Sequence, residues 1–339
     1  MKIFDCPNCS SPLFFENTKC VSCGSSLGFD PDELLFKSVS DDWSGYCKNH
    51  ELGLCNWLIS AGSKNTFCPA CALNRKVPNA SDGENFEKWK PLETAKHRLV
   101  YQLLKLGLPL VPKSEADEGL AFDFLGSDND DNKMTGHANG VVTIILTEAD
   151  SVHREQLRKQ MSEAYRTLLG HFRHEIGHYY WPLLFKYKNL DRFRFFFGDE
   201  RKDYGASLEQ HYATGAPKNW NENFITAYAS SHPWEDWAET WAHYLHLMDT
   251  LETAGSLGLS LKPEIAKPSY LEMVKAQDPY TINDFKIIFD ASISLTCAAN
   301  SLNRSMGLPD IYPFIIADTV YEKLNFIHEI LKDYRQRNT

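Results

Sequence analysis

The chain has 339 residues, more than one typical domain, and its 43% hydrophobic and 13% aromatic content suffices for a sizeable core. Its formal net charge of −10 argues against a general nucleic-acid or membrane-surface binder. No apolar run reaches the roughly 18 residues of a transmembrane helix, so we expect no membrane span.

The first residues, Met1 to Asp5, contain no signal-peptide apolar region before Cys6. Eight of the nine cysteines precede residue 72, and six of these form C-x-x-C pairs. In a chain without an export signal, such pairs are metal ligands more often than disulfides. We therefore expect a cytoplasmic protein with metal-bound cysteines.

The first cysteine cluster has the spacing C-x₂-C-x₁₀-C-x₂-C. Each C-x-x-C turn presents two thiolates to one tetrahedral zinc ion. A redox C-x-x-C motif would need a βαβ context, which the surrounding sequence lacks. The spacing therefore predicts a structural zinc bound by Cys6, Cys9, Cys20 and Cys23.

A second cluster contains Cys47, Cys55, Cys68 and Cys71. Its second half is again a C-x-x-C turn, whereas seven residues separate the first two cysteines, a wider gap than usual. His50 lies within that gap and competes as a ligand. The cluster predicts a second structural zinc, because a segment this short cannot build a large apolar core.

The chain divides by composition into a zinc-ribbon module (1–76), a polar, turn-rich linker (77–90) and a larger domain (91–339). Acidic and basic residues are almost balanced over residues 1–80, which is not the footprint of a phosphate binder. Protein docking or a purely structural role is therefore favoured for the module, and nucleic-acid binding is disfavoured.

The larger domain is predicted to be mainly helical. Apolar spacing indicates an amphipathic helix from Pro91 to Leu106 and further helices over about 283–303 and 316–334. The β-branched run at 140–147 indicates a strand. The expected fold class is thus α+β, with a double zinc-ribbon module followed by a mainly α-helical domain that contains a small β-sheet.

An H-E-x-x-H motif lies at His174-Glu175-Ile176-Gly177-His178. On a helix, residues i and i+4 share one face, so His174 and His178 can bind one Zn²⁺. Glu175 can then take a proton from water at the open coordination position. A chance match is rare, and apolar residues recur at helical spacing at 168, 169, 172, 176 and 180.

A third ligand is expected from the aromatic stretch Tyr228 to His246. Glu235 and Glu239 are four residues apart and share a helix face, while Trp234, Trp237 and Trp241 form a second face, which we assign to the core. We predict Glu235 as the ligand and Glu239 as the acceptor for the N–H of a ligating histidine. A solvated acidic face is the alternative, and the surrounding Trp and Tyr residues disfavour it.

These spacings resemble the catalytic core of gluzincin metallopeptidases of the anthrax lethal factor type. The resemblance implies that Glu235 is the third zinc ligand, that Glu239 supports a ligand, and that Tyr228 assists catalysis. More of the chain resembles bacterial zinc-binding metallopeptidases with an N-terminal zinc ribbon, over the stretches 47–57, 135–140, 148–150, 165–181, 197–200, 228–246 and 303–307. That group carries cysteine at all four positions of the second cluster, which favours these over His50.

The sequence as a whole predicts a zinc-dependent endopeptidase with one catalytic and two structural zinc ions and a protein or peptide substrate. Two alternatives are a catalytically inactive zinc-binding adaptor and a nucleic-acid-associated protease. In gluzincins an edge strand near the zinc pairs with the substrate. We predict this role for the strand at 140–147, with a buried structural strand as the alternative.

Overall fold

The computed structural model describes residues 2–40, 45–60, 62–79, 81–126, 135–160, 167–186, 189–264, 271–273 and 276–338. Among these residues, no helix is both long enough and apolar enough to cross a membrane. Short strands and zinc-ribbon cysteine clusters come first in the chain, and long helices dominate the rest. The predicted α+β fold class is confirmed.

Eight strands and eight α-helices lie within the described ranges. The strands are β1 (Phe4–Asp5), β2 (Pro12–Leu13), β3 (Leu27–Asp30), β4 (Leu35–Ser38), β5 (Asn74–Lys76), β6 (Ala121–Leu125), β7 (Gly136–Ala138) and β8 (Val141–Ile145). The helices are α1 (Gly83–Lys105), α2 (Ser151–Gln160), α3 (Leu168–Phe185), α4 (Leu190–Phe197), α5 (Tyr204–Thr214), α6 (Pro233–Ser256), α7 (Phe285–Ser305) and α8 (Asp318–Asn338).

The chain forms two compact units. One contains residues 1–153 and 252–258, and the other contains residues 154–251 and 259–339. The predicted domain boundaries at 76 and 91 stay a prediction.

In the first unit, β1 pairs with β2 and β3 pairs with β4 as antiparallel hairpins. The larger sheet has the order β5-β6-β8-β7, in which β5, β6 and β8 run parallel and β7 runs antiparallel to β8.

The strand predicted at 140–147 is β8, which lies inside this sheet. Val141 to Ile145 pair with β6 on one side, and Val141 to Thr143 pair with β7 on the other. The backbone groups that a substrate strand would need are therefore already used along most of the strand. The substrate-pairing role predicted for this strand is wrong, and its alternative as a structural strand fits the structure.

Helix α1 begins at Gly83, eight residues before the predicted start at Pro91. The side chain of Asp82 caps the helix by accepting from the backbone N–H of Asn85. Buried side chains then follow along one face of the helix. Among them, Tyr101 packs against Phe15, with the two ring centroids 5.4 Å apart. The apolar face of α1 therefore forms part of the core of the first unit.

The second unit is built around α3 and α6. The indole N–H of Trp237 donates to the backbone oxygen of Gly177 at 2.9 Å. A β-carbon at position 177 would lie 3.1 Å from Cα of Ala238, so glycine allows the two helices to approach closely. Helix α3 continues past Pro182 to Phe185, because the hydrogen-bond ladder resumes from the Pro182 carbonyl to Lys186.

Candidate functional site

The two histidines of the H-E-x-x-H motif lie on α3, half-buried and one turn apart. The helix begins after Thr167, whose hydroxyl accepts from the backbone N–H of Gly170 at 3.0 Å. Glu235 comes from the first turn of α6 and is 1% exposed. The packing of α3 against α6 at Gly177 brings the three side chains together.

Three possible ligand atoms converge at this point. The Nε2 atoms of His174 and His178 are 3.1 Å apart. The carboxylate oxygens of Glu235 lie 3.1 Å from Nε2 of His174 and 3.3 Å from Nε2 of His178. Ligands bound to one tetrahedral zinc at about 2.0–2.1 Å would lie about 3.3–3.4 Å apart. The observed separations therefore suit a zinc ion.

The hydrogen bonding of Glu235 supports the same assignment. Its Oε1 accepts from the hydroxyl of Tyr204 at 2.7 Å. Its Oε2 is buried and accepts no hydrogen bond of good geometry from a described residue, although Nε2 of His174 lies 3.1 Å away. A buried carboxylate oxygen without a partner is costly unless a cation compensates it. The residues present thus fit a metal ion bound between Glu235 and the two histidines.

Glu239, one turn after Glu235, orients the first histidine. Its Oε1 accepts from Nδ1 of His174 at 2.6 Å, and its Oε2 accepts from the hydroxyl of Thr226 at 2.7 Å. A proton on Nδ1 leaves the lone pair of Nε2 free for a metal. Glu239 therefore contacts the ring nitrogen of His174 that does not face Glu235.

The charges around the site favour a cation. Burial lowers the pKa of His174, but its close contacts with Glu235 and Glu239 outweigh burial and raise the pKa well above its ordinary value. Burial raises the pKa of Glu235, but the charge of His178 and the close contacts of the two histidines hold it well below its ordinary value. Two ionised carboxylates thus stabilise positive charge here.

The two predicted catalytic residues lie next to His174, one in sequence and one in space. Glu175 follows His174 on α3 and is half-buried. Tyr228 lies in a 3₁₀ turn, Tyr228–Ser231, with its ring centroid 6.1 Å from that of His174. Burial, followed by the charge of Glu235, raises the pKa of Tyr228 well above its ordinary value. The phenol therefore keeps its proton and can act as a hydrogen-bond donor.

Tyr204, at the start of α5, is a site residue that the sequence analysis missed. Its hydroxyl donates to Glu235 across 31 positions of sequence. It belongs to no motif and shares no helix with Glu235, so the sequence contained no signal for the contact. Other histidines near the site bind elsewhere: Nε2 of His232 contacts the Lys202 carbonyl, and Nδ1 of His243 contacts the Tyr312 hydroxyl.

The first cysteine cluster converges as the spacing predicted. The sulfur atoms of Cys6 and Cys23 are 3.8 Å apart, and those of Cys9 and Cys20 are 3.6 Å apart. Sulfurs bound to one tetrahedral zinc at about 2.3 Å lie about 3.8 Å apart, whereas a disulfide bond measures about 2.05 Å. The four sulfurs therefore have the separation that a zinc site requires.

The second cluster brings Cys47, Cys55, Cys68 and Cys71 together in the same way, with 3.7 Å between the sulfurs of the middle two. His50 does not join this group. Its ring stacks on Tyr46 at 3.9 Å, and its Nδ1 lies 2.8 Å from the Cys55 carbonyl. The four cysteines, without His50, therefore form the group that could bind a metal ion.

Two family models match the chain. A zinc-ribbon domain matches residues 3–82, and a family described as "Putative zinc-binding metallo-peptidase" matches residues 85–330. The uncharacterized proteins Mb2598c of Mycobacterium bovis and Rv2568c of Mycobacterium tuberculosis are each 43% identical over 337 residues, covering 98% of this chain and 96% of theirs. No solved structure matches it. The chain therefore belongs to this family of zinc-binding metallopeptidases, with an N-terminal zinc-ribbon domain.

Proposed function

We propose that the protein is a zinc-dependent endopeptidase that binds its catalytic zinc through His174, His178 and Glu235. The observation that carries the proposal is the convergence of one possible ligand atom from each of these residues. Glu239 accepts from Nδ1 of His174, which leaves Nε2 for the metal. This arrangement, with Tyr228 beside it, also supports a gluzincin mechanism of the lethal factor type.

A zinc ion bound there would supply a Lewis acid that polarises the scissile carbonyl and lowers the pKa of water. The protein residues would do the remaining chemistry. We assign Glu175 as the general base that accepts the proton of the attacking water and passes it to the leaving amine. Its position next to His174 on α3 supports this assignment.

Tyr228 is proposed to donate a hydrogen bond to the oxyanion that develops on the scissile carbonyl. Its half-buried phenol stays protonated, and its ring lies beside His174. Removing one donor of this kind typically lowers kcat by about 10²–10³.

We also propose two structural zinc ions, one in each cysteine cluster, so that the protein binds three zinc ions in all. The cysteine clusters are proposed to serve protein docking or structure, and the protein is proposed to act in the cytoplasm on a protein or peptide substrate.

The test combines native mass spectrometry with cleavage of a peptide library. Wild type should bind three zinc ions and cleave peptides, whereas Glu175→Gln should bind three and cleave none. Glu209→Gln, on the exposed face of α5, is the matched control and should cleave normally.

Two results would contradict the proposal. If Glu175→Gln cleaves peptides as fast as wild type, Glu175 is not the general base. Wild type with three zinc ions but no cleavage of any library peptide would favour the adaptor alternative.

A further inference from the structure

His97, on α1, lies against the second cysteine cluster. Its Nε2 is 3.3 Å from the sulfur of Cys55 and 3.6 Å from that of Cys71. Its Nδ1 is 2.8 Å from the backbone oxygen of Glu93. The side chain is 5% exposed, so water does not compete for either nitrogen. Both ring nitrogens therefore face hydrogen-bond acceptors, and the imidazolium form of the ring can donate to both at once.

The ring is held in this orientation by its neighbours. Trp57 packs edge-to-face on it with centroids 5.3 Å apart. The carbonyl of Glu93 belongs to the preceding turn of the same helix, so the contact of Nδ1 is local. The position of α1 therefore decides where Nε2 points, and it points at two sulfurs of the cluster.

The surroundings of Cys71 exclude a second cation beside the cluster. Cys71, Glu93 and His97 converge like a metal site. However, Nζ of Lys96 is fully buried and lies 2.7 Å from Oε1 of Glu93. The amide of Asn74 donates to the same oxygen at 3.2 Å. The ammonium group already neutralises the carboxylate, whose Oε1 lies 3.5 Å from the sulfur of Cys71. A carboxylate can only accept, so His97 and not Glu93 can donate to the sulfurs.

Burying the sulfur cluster is costly without such a partner. Four thiolates around one Zn²⁺ carry a net negative charge, and all four cysteines of the second cluster are buried. Hydrogen bonds donated to the sulfurs disperse that charge. In the first cluster, by contrast, Cys9 and Cys23 are exposed, so water can donate hydrogen bonds to their sulfurs.

We propose that His97 is a positioning residue of the second zinc centre, where it donates from Nε2 to the sulfurs of Cys55 and Cys71. The four sulfurs already supply a tetrahedral ligand set, so His97 supports ligands without being one. The cysteines lie in the zinc-ribbon match and His97 lies in the peptidase match. The second centre therefore joins the ribbon to the first helix of the peptidase region.

The experiment measures how fast each cysteine is alkylated in the zinc-loaded full chain under a competing chelator, with mass spectrometry identifying the modified peptides. His97→Phe keeps the ring shape but removes both donors, and His97→Gln keeps one donor. His50→Phe is the matched control, because the His50 ring lies near the same cluster, where it stacks on Tyr46 and contacts the backbone oxygen of Cys55. The first cysteine cluster is an internal control in every sample.

His97→Phe should weaken zinc binding at the second centre by about 10–100-fold, the usual effect of losing a group that supports a metal ligand. Alkylation of Cys55 and Cys71 should accelerate accordingly, while the first cluster keeps the wild-type rate. His97→Gln should fall between His97→Phe and wild type, and His50→Phe should match wild type. If His97→Phe does not fold, the alkylation rates of Cys55 and Cys71 in His97→Gln are compared with those in wild type, and unchanged rates contradict the proposal.

Three results would overturn the proposal. Wild-type alkylation rates in His97→Phe would show that the contact is only packing. Equal acceleration at both cysteine clusters would show a general loss of stability. A changed absorption spectrum of the Co²⁺-substituted His97→Gln protein, relative to Co²⁺-substituted wild type, would make His97 a ligand.

Discussion

Replacing Lys323 with Met should destabilise the second unit in a pH-dependent way. Nζ of Lys323 donates to Oδ2 of Asp236 at 2.7 Å and to the Asn223 carbonyl at 2.6 Å. Asp236 is 1% exposed and lies between the proposed ligand Glu235 and the rest of α6. The substitution leaves its carboxyl group with the Thr240 hydroxyl at 3.4 Å as the remaining side-chain hydrogen bond from a described residue.

The magnitude follows from burial. Removing one partner of a buried ion pair typically costs about 3–5 kcal/mol when the other partner stays charged, and less when that partner can take up a proton. Burial raises the pKa of Asp236 to about 7, although Lys323 lowers it. The folded state thus binds this proton more tightly than the unfolded state, and the stability it contributes is lost as pH rises from the ordinary pKa of 3.8 to about 7.

Without Lys323, the pKa of Asp236 should rise further. The loss of stability relative to wild type should then be small at about pH 5, where the carboxyl group is protonated in both proteins. It should increase towards about pH 8, at up to about 1.4 kcal/mol for each pH unit over which only the variant stays protonated.

The assay is denaturant unfolding of zinc-loaded protein, followed by tryptophan fluorescence at about pH 5 and about pH 8. Lys286→Met is the matched control. Lys286 and Asp290 also lie 2.7 Å apart, but their side chains are 63% and 54% exposed. Such a pair contributes about 0–1 kcal/mol. The reasoning is refuted if Lys323→Met costs no more than this control at pH 8, or the same amount at both pH values.

Two further predictions concern the zinc site and the helices that form it. Tyr204→Phe removes the donor to Glu235 and should weaken zinc binding at least about tenfold in a chelator competition. Tyr212→Phe, on the same helix and 62% exposed, is the control and should bind zinc as wild type does. Equal zinc affinities of Tyr204→Phe and wild type would contradict the role of Tyr204. Gly177→Ala places a methyl group 3.1 Å from Cα of Ala238 and should lower the free energy of unfolding by about 1–3 kcal/mol, measured by thermal unfolding. An unchanged Tm would show that α3 and α6 can move apart without loss of stability.

Local spacing was enough to predict much of the site. Helix geometry alone places His174 and His178 on one face, and a C-x-x-C turn alone presents two thiolates to one ion. The resemblance to bacterial zinc-binding metallopeptidases with an N-terminal zinc ribbon is confirmed, and so is the α+β fold class. The resemblance to gluzincins of the lethal factor type stays a prediction. The earlier start of α1 at Gly83 also had a local signal, because Asp82 is a typical N-cap residue.

The tertiary structure decided the contacts between residues far apart in sequence. Tyr204 reaches Glu235 and His97 reaches Cys55 only because separate segments pack together, and neither pair has a fixed spacing that a sequence could display. The same holds for β8, whose β-branched residues would suit an edge strand or an inner strand equally well. Strand order determines which backbone groups remain free, and that order is a property of the folded sheet.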